Sequence, residues 1–134
     1  DSYYEEISAD LLQPELDVCW VNVGGENPAD YVRKYSGRMD VVHIKDFAGR
    51  KSEHMYALIT GDANARENTN GEFEFRPVGS GVQDIPEILQ AAEDAGAQWL
   101  IVEQDKPSLG LNAMECVCKS VKYLKSIMYW RESI

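Results

Sequence analysis

The sequence is poor in positive charge and has no long apolar run. Its 134 residues include 13 lysines and arginines against 23 aspartates and glutamates, which gives a formal net charge of -10. A chain this acidic repels a phosphate backbone, so nucleic acid is not expected as a partner. No stretch approaches the roughly 20 apolar residues that cross a bilayer, and the first residues lack a signal peptide's basic start and apolar middle. We therefore expect no membrane partner and a cytoplasmic location.

Cysteine is also scarce, and the three cysteines cannot all pair within one chain. Cys116 and Cys118 form a CxC pattern in a strongly helical segment, whereas Cys19 lies in an apolar run. Reduced cysteine in such surroundings behaves as a small hydrophobic residue. We interpret all three as core residues rather than as metal ligands or a redox pair, which fits the cytoplasm.

What the chain does have is a globular composition, with 44% hydrophobic and 27% charged residues, and an alternation of strand and helix signals. Apolar runs at 16–21, 39–44 and 99–102 predict three strands, and the first of them is expected to be buried. A helix is predicted after each strand, and the capping residues that start these helices are Asn27 with Pro28, Asp84 with Glu87, and Asn112 with Glu115. This order is typical of an α/β fold with parallel strands and crossover helices.

Two of the predicted helices have an apolar face at helical spacing, and we expect both faces to pack in the core. In the second helix the face is formed by Ile85, Ile88, Leu89, Ala92 and Ala95. In the third helix it is formed by Met114, Val117, Val121, Leu124 and Met128.

Two segments fall outside this alternation. Residues from about 47 to 75 predict a long loop that ends in a hairpin through Glu72–Arg76, and such a loop is either a functional lid or disordered. The second segment is residues 1–12. A sheet of three strands cannot close into an eight-stranded barrel, and the chain begins at Asp1 without methionine. We therefore expect residues 1–12 to continue a connection from an earlier strand.

One ionisable residue interrupts each predicted strand or ends it: Asp17, His43 and Glu103. A charged group in an apolar parallel strand costs several kcal/mol unless it is paired or coordinated. Three such groups at the carboxyl ends of adjacent strands predict a shared cation. The alternative is that each residue makes a separate structural contact, as a lone histidine in a strand commonly does.

The amino-acid sequences of three segments are more specific evidence than the spacing of ionisable residues. These segments are PELDVCWVNVGGENPADYV, GRMDVVHIKD and FRPVGSGVQDIPEILQAAEDAGAQWLIVEQD. They resemble the last three βα units of the sugar phosphate isomerase/epimerase family, xylose-isomerase-like (β/α)8 TIM barrels that include inosose dehydratases and tagatose-type epimerases. The resemblance covers nearly all of residues 4–127 and is absent from about 50–70. It implies that residues 1–134 are the C-terminal part of one TIM-barrel domain, which is incomplete in this chain.

The resemblance also implies a single divalent cation, Mn²⁺, Mg²⁺, Co²⁺ or Zn²⁺. Asp17, His43 and Glu103 match three of the family's ligands, whereas the first ligand, a glutamate from an earlier strand, has no match here. Many relatives carry a histidine beside the site three residues after the aspartate. This chain has Trp20 there, which could form an apolar wall for the sugar.

The activity implied is that of a sugar or sugar phosphate isomerase or epimerase that works through a metal-stabilised enediolate, without a redox cofactor. Glu103 would serve as both ligand and acid/base. Lys45 shares a strand face with His43, so it either binds and polarises a substrate oxygen or is a solvated lysine at the strand end. Arg50 is a further candidate for binding the substrate.

Other candidates have weaker support. Asp46 and Asp105 lie next to the predicted site, and Gly79-Ser80-Gly81 precedes a helix that could hold an anion, although a tight turn is the simpler interpretation.

Three other functions remain open for the chain. A dehydratase, which is a lyase, would use the same site. An endonuclease IV-type nuclease would need more than the two histidines present. A non-catalytic fragment or binding module would never complete a site. For the full-length enzyme we expect a small-molecule sugar substrate and a homo-oligomer. This segment alone is expected to be inactive.

Overall fold

Two sheets and five helices make up the part of the chain that the computed structural model describes, residues 2–50 and 73–128. The first sheet is parallel and contains β1 (Glu15–Asp17), β2 (Val41–Ile44) and β5 (Trp99–Val102) in the order β1-β2-β5. The second pairs β3 (Asp46–Gly49) antiparallel to β4 (Phe73–Arg76). The predicted α/β class with parallel strands is confirmed.

One helix precedes the first strand, two follow β1, one follows β4 and one follows β5. They are α1 (Ser2–Glu6), α2 (Val18–Val23), α3 (Pro28–Lys34), α4 (Ile85–Ala95) and α5 (Ala113–Ile127). None of these helices in residues 2–50 and 73–128 is long and apolar enough to cross a membrane.

The register of the parallel sheet aligns the carboxyl ends of its strands. Asp17 pairs with His43 across β1 and β2, and Ile44 pairs with Val102 across β2 and β5. The backbone N–H of Glu103, the residue after β5, donates to the carbonyl of Ile44. The last residue of each strand, or the one beside it, therefore reaches the same edge of the sheet.

The predicted strand at 16–21 is wrong beyond Asp17, where the chain turns into α2. The Asp17 side chain caps this helix, because its carboxylate accepts hydrogen bonds from the N–H groups of Cys19 and Trp20. Val18, Cys19 and Val23 are buried. A short apolar run with every position buried does not distinguish a strand from a buried helix by its periodicity.

The starts of the next two helices are confirmed. Asn27 accepts a hydrogen bond from the N–H of Asp30, and Asp84 accepts one from the N–H of Glu87. The Glu87 carboxylate forms an ion pair with Arg33 of α3 at 2.7 Å, so it ties α4 to α3. α4 ends at Gly96, whose φ of +82° is a left-handed conformation that glycine adopts without strain.

The core lies between the parallel sheet and the pair α3 and α4. Val42 and Ile44 of β2 are fully buried in it. The apolar face predicted for α4 is also buried, with Ile85, Ile88, Leu89, Ala92 and Ala95. A smaller cluster, formed by Cys19, Val23, Phe47 and Phe75, packs between α2 and the antiparallel sheet.

The apolar stripe predicted as the core face of α5 is wrong for its first three residues. Met114, Val117 and Val121 are 70%, 53% and 41% exposed, whereas Leu124 and Met128 pack against the core. The buried residues of α5 are Cys116 and Ser120. A helical period identifies an apolar face, but it does not show which neighbouring element covers that face.

The predictions for cysteine and for the long loop need partial correction. Cys19 and Cys116 are buried as expected, but Cys118 is exposed, so its assignment to the core was wrong. The loop predicted from about 47 begins instead with strand β3, and the predicted hairpin segment contributes β4, which pairs with β3. The rest of that predicted loop, 51–72, lies outside the described residues.

Candidate metal centre

The site begins with three residues that lie at or next to the carboxyl ends of the parallel strands. Asp17, His43 and Glu103 each offer one ligand atom, and these atoms all lie within 4.8 Å of one another. Asp17 ends β1, His43 lies one residue before the end of β2, and Glu103 follows β5. The parallel register therefore brings together the three residues that the sequence predicts as metal ligands, with two carboxylates and one imidazole as the donors.

Lys45 lies beneath this cluster and contacts its carboxylates. Its Nζ is 3.2 Å from Asp17 Oδ2, 3.1 Å from Glu103 Oε2 and 3.2 Å from Asp105 Oδ2. The side chain is 4% exposed, so Lys45 is not a solvated lysine at a strand end. It is a buried counter-ion to three carboxylates, and one of these, Asp105, was only a weak candidate in the sequence.

The pKa values of these groups reflect a balance between burial and mutual attraction. Burial raises the pKa of Asp17 above its ordinary value, and the charge and hydrogen bond of Lys45 offset only part of that rise. Burial also acts to raise the pKa of Glu103, but Lys45 and His43 together hold it below its usual value. Burial acts to lower the pKa of Lys45, yet the attraction of Asp17, Glu103 and Asp105 raises it. Lys45 is therefore charged at neutral pH.

Cys19 lies next to the site but is not one of its reactive groups. Burial and the nearby charge of Asp17 raise the pKa of its thiol to about 12. A thiol with that pKa is protonated at neutral pH, and the thiolate is the form that attacks substrates and binds metals. This supports the interpretation of Cys19 as a core residue.

His43 contacts a carboxylate on each side of its ring. Nδ1 is 3.1 Å from Glu103 Oε2, and Nε2 is 2.5 Å from Glu15 Oε1. Glu15 was not recognised as a site residue from the sequence. The signal was present, however, because Glu15 and Asp17 are two residues apart on β1 and so project from the same face of the strand.

An aromatic surface borders the site on the side of α2. The Trp20 ring stacks on Phe73 with centroids 6.4 Å apart and meets Phe75 edge-on at 6.2 Å. Lys45 Nζ lies 5.6 Å from the centre of the Trp20 ring, close enough for a cation–π contact. Trp20 is thus next to the carboxylates, where an apolar wall was predicted.

Arg50 follows β3 and is exposed. Among residues 2–50 and 73–128, none of the ion pairs of the cluster includes Arg50, and its role in binding the substrate stays a prediction.

Asp46 is not part of the carboxylate cluster, and it stabilises the backbone instead. It is fully buried and accepts four backbone N–H groups, from Phe47 and Gln83 at Oδ1 and from Gly79 and Gly81 at Oδ2. Those N–H groups are the ones that an anion would need at Gly79-Ser80-Gly81. The interpretation of that segment as a tight turn is confirmed, and the carboxylate of Asp46 holds the turn in place.

Gln83 also stabilises the backbone around the site. It was not recognised as a structural residue from the sequence. Its Nε2 donates to the carbonyls of Val18 and Lys45, and its Oε1 accepts from the Asn22 side chain. A single buried amide thus ties the start of α2 to the segment that carries Lys45.

Substituting Gly81 with alanine should disrupt this turn. A Cβ atom there would lie 2.2 Å from Asp46 Oδ1 and 2.2 Å from the Phe47 carbonyl oxygen, far inside van der Waals contact. We expect Gly81→Ala to lower the free energy of unfolding by about 2 kcal/mol, because the turn must shift away from Asp46. Chemical denaturation of Gly81→Ala beside Ser80→Ala measures this, and equal stability of the two variants would contradict it.

A cleft of about 380 Å³ opens beside the cluster, between the end of β5 and α5. Glu103 and Asp105 line its polar end, and Cys116 and Val117 line its apolar end. Two carboxylates of the cluster, those of Glu103 and Asp105, therefore border a space that a small molecule could enter, whereas Asp17 and His43 do not line it.

Comparison with known proteins gives three relatives. An inosose dehydratase from Clostridium beijerinckii is 29% identical over 107 residues, which cover 75% of this chain and 33% of that protein. The crystal structure of a sugar phosphate isomerase/epimerase from Parabacteroides distasonis matches 91% of this chain and 33% of its own, with a TM-score of 0.63 and 25% identity. A xylose isomerase domain protein from Alicyclobacillus acidocaldarius matches 90% of this chain and 38% of its own, with a TM-score of 0.59 and 13% identity.

No known family profile matches the chain. The relatives nevertheless confirm the predicted resemblance to sugar phosphate isomerases/epimerases and xylose-isomerase-like proteins. The chain spans about a third of the length of these relatives. Its parallel sheet is consistent with part of a TIM-barrel-like fold.

Proposed function

We propose that this chain contributes three ligands, Asp17, His43 and Glu103, to the divalent-metal site of a sugar isomerase or epimerase. The observation that carries the proposal is the convergence of their ligand atoms within 4.8 Å. The chain then forms the last three βα units of a TIM barrel, and a fourth ligand comes from outside it. The similarity to a sugar phosphate isomerase/epimerase supports this assignment.

The donor set suits a hard cation. Two carboxylates and an imidazole are typical ligands of Mn²⁺, Mg²⁺, Co²⁺ or Zn²⁺. The surroundings also favour a positive ion, because the carboxylates of Asp17, Glu103 and Asp105 share the single ammonium of Lys45. A divalent cation would offset the negative charge that Lys45 leaves uncompensated.

When bound, the metal would supply Lewis-acid stabilisation of the negative charge that develops on a substrate oxygen. Glu103 takes a proton from the carbon next to the substrate carbonyl. Returning that proton to the former carbonyl carbon gives an isomer, whereas epimerisation requires a second acid that protonates the original carbon from its opposite face. The low pKa of Glu103 keeps its carboxylate ionised and able to accept that proton. Lys45 holds the carboxylates of Asp17 and Glu103 in place, and its ammonium orients a substrate oxygen that comes within reach.

Two further residues bind the substrate. Trp20 offers an aromatic face that packs against the apolar C–H face of a sugar and excludes water on that side. Arg50 binds a negatively charged group, such as the phosphate of a sugar phosphate. The substrate class is therefore a sugar or a sugar phosphate, and the working protein is a homo-oligomer.

A dehydratase is the second candidate, because one relative is an inosose dehydratase. The first step, removal of a proton next to a carbonyl, is the same in both reactions. The second step differs, since a lyase expels a β-hydroxyl group as water where an isomerase returns the proton.

The test has two parts. The chain is first titrated with Mn²⁺ beside the Asp17→Asn variant, and we expect binding that the substitution weakens by at least about tenfold. The full-length protein is then incubated with Mn²⁺ and candidate ketoses or inososes in D₂O, and the products are analysed by nuclear magnetic resonance. Deuterium incorporation without loss of water supports the isomerase or epimerase, and loss of water supports the lyase. No metal binding, or neither product from any compound, would overturn the proposal.

A further inference from the structure

Glu15 contacts His43 on the side away from the other predicted ligands. Glu15 Oε1 lies 2.5 Å from His43 Nε2, whereas Glu103 Oε2 lies 3.1 Å from His43 Nδ1. The same Glu103 oxygen also contacts Lys45 Nζ, which in turn contacts Asp17 Oδ2. Nδ1 therefore faces the carboxylate cluster, and Nε2 faces Glu15.

This arrangement determines which nitrogen of a neutral imidazole carries the proton. A neutral histidine has one N–H donor and one lone pair, and a carboxylate can accept from only the nitrogen that carries the hydrogen. The shorter contact, to Glu15, favours the hydrogen on Nε2. The lone pair of Nδ1 is then directed toward Glu103 and Asp17. A histidine can bind a metal there only if its lone pair points toward the other ligands.

We propose that Glu15 is a positioning residue that fixes the ring orientation and tautomer of His43 for metal binding. The inference rests on the proposed metal site and adds to it a residue outside the predicted ligand set. The competing explanation is a surface contact with little effect on metal affinity, because the Glu15 side chain is 58% exposed. The same exposure means that replacing Glu15 should leave the fold intact.

The test compares Glu15→Ala, Glu15→Gln and the unchanged chain. We expect Glu15→Ala to weaken Mn²⁺ binding by about ten- to a hundredfold, as is usual when the partner of a metal-binding histidine is removed. Glu15→Gln should stay within about threefold, because its amide oxygen can accept the same hydrogen bond. Glu26→Ala controls for the change in net charge, because it removes another exposed carboxylate. It should have little effect on Mn²⁺ binding.

A second readout follows the tautomer directly in the metal-free protein. The chain has two histidines, so ¹⁵N resonances of His43 can be assigned with the help of a His54→Asn variant. We expect Nε2–H to predominate in the unchanged chain and in Glu15→Gln, and its population to fall in Glu15→Ala. An unchanged tautomer, or equal Mn²⁺ affinities of Glu15→Ala and Glu26→Ala, would overturn this inference alone. Absence of Mn²⁺ binding by the unchanged chain would overturn the proposed function, and this inference with it.

Discussion

Replacing Asp46 with alanine is expected to lower the free energy of unfolding by about 4 kcal/mol, the largest effect of any substitution considered for this chain. The Asp46 carboxylate accepts four backbone N–H groups, and it is completely buried. Without it, all four N–H groups lose their acceptor, and the hydrogen bonds from Phe47 and Gln83 are buried, whereas those from Gly79 and Gly81 are partly buried. Each buried N–H left without an acceptor costs about 1–3 kcal/mol, so partial relaxation still leaves a large loss.

Urea denaturation of the metal-free protein measures this effect. Asp46→Asn keeps one acceptor oxygen and should lose about half as much stability, which separates lost acceptors from lost volume. Asp94→Ala is the matched control, because Asp94 forms an exposed ion pair with Arg33 and should cost less than about 1 kcal/mol. If Asp46→Ala were no less stable than Asp94→Ala, the turn would not depend on this carboxylate.

Replacing Lys45 with methionine should destabilise the metal-free chain by about 3 kcal/mol. The substitution keeps most of the buried volume but removes the ammonium that Asp17, Glu103 and Asp105 share. Removing one partner of a buried ion pair leaves the other charges uncompensated. The loss should lie at the lower end of the range for buried ion pairs, because Glu103 and Asp105 are partly exposed to water.

The same substitution should strengthen Mn²⁺ binding by about tenfold, since a positive charge close to the cation site is gone. Added Mn²⁺ should then raise the unfolding midpoint of Lys45→Met by more than that of the unchanged chain. Thermal unfolding with EDTA and with Mn²⁺ tests both effects, with Lys106→Met as an exposed control. Weaker Mn²⁺ binding by Lys45→Met would show that Lys45 matters more for orienting the carboxylates than for repelling the cation.

The fold could be predicted from the sequence wherever local chemistry determines the structure. Asn27, Asp84 and Asn112 each mark a helix start, and each side chain accepts a backbone hydrogen bond from its helix. Two predictions failed because they needed tertiary information. The run after Asp17 is apolar at every position, so its pattern cannot show that the chain turns into α2. The exposed residues of α5, such as Met114, depend on which neighbours lie beside that helix.

The sequence predicted those residues of the site whose positions follow from the order of the parallel strands. Asp17, His43 and Glu103 end parallel strands, and parallel register brings strand ends together whatever the exact packing. Glu15 and Lys45 show the limit. Whether Glu15 contacts His43 depends on the ring orientation of that histidine, and whether Lys45 contacts carboxylates or solvent depends on burial by Trp20 and Phe75. The sequence shows which of these residues share a strand face, but it does not show which atoms they contact.

The edge of the parallel sheet formed by β5 affects how this chain behaves in concentrated solution. Within the described residues, β5 has a strand neighbour on one side, and its Trp99, Ile101 and Val102 are exposed. An apolar edge with free backbone groups is a template for adding a strand from another molecule, which natural sheets prevent with charged residues, proline or a cover. None of those protections is present within the WLIV segment of β5. In the TIM barrel that we propose, the first strand of the full-length protein pairs with this edge, because a closed barrel joins its last strand to its first. Intermolecular strand addition is therefore expected only of the segment on its own, and it would use a surface separate from the carboxylates of the site.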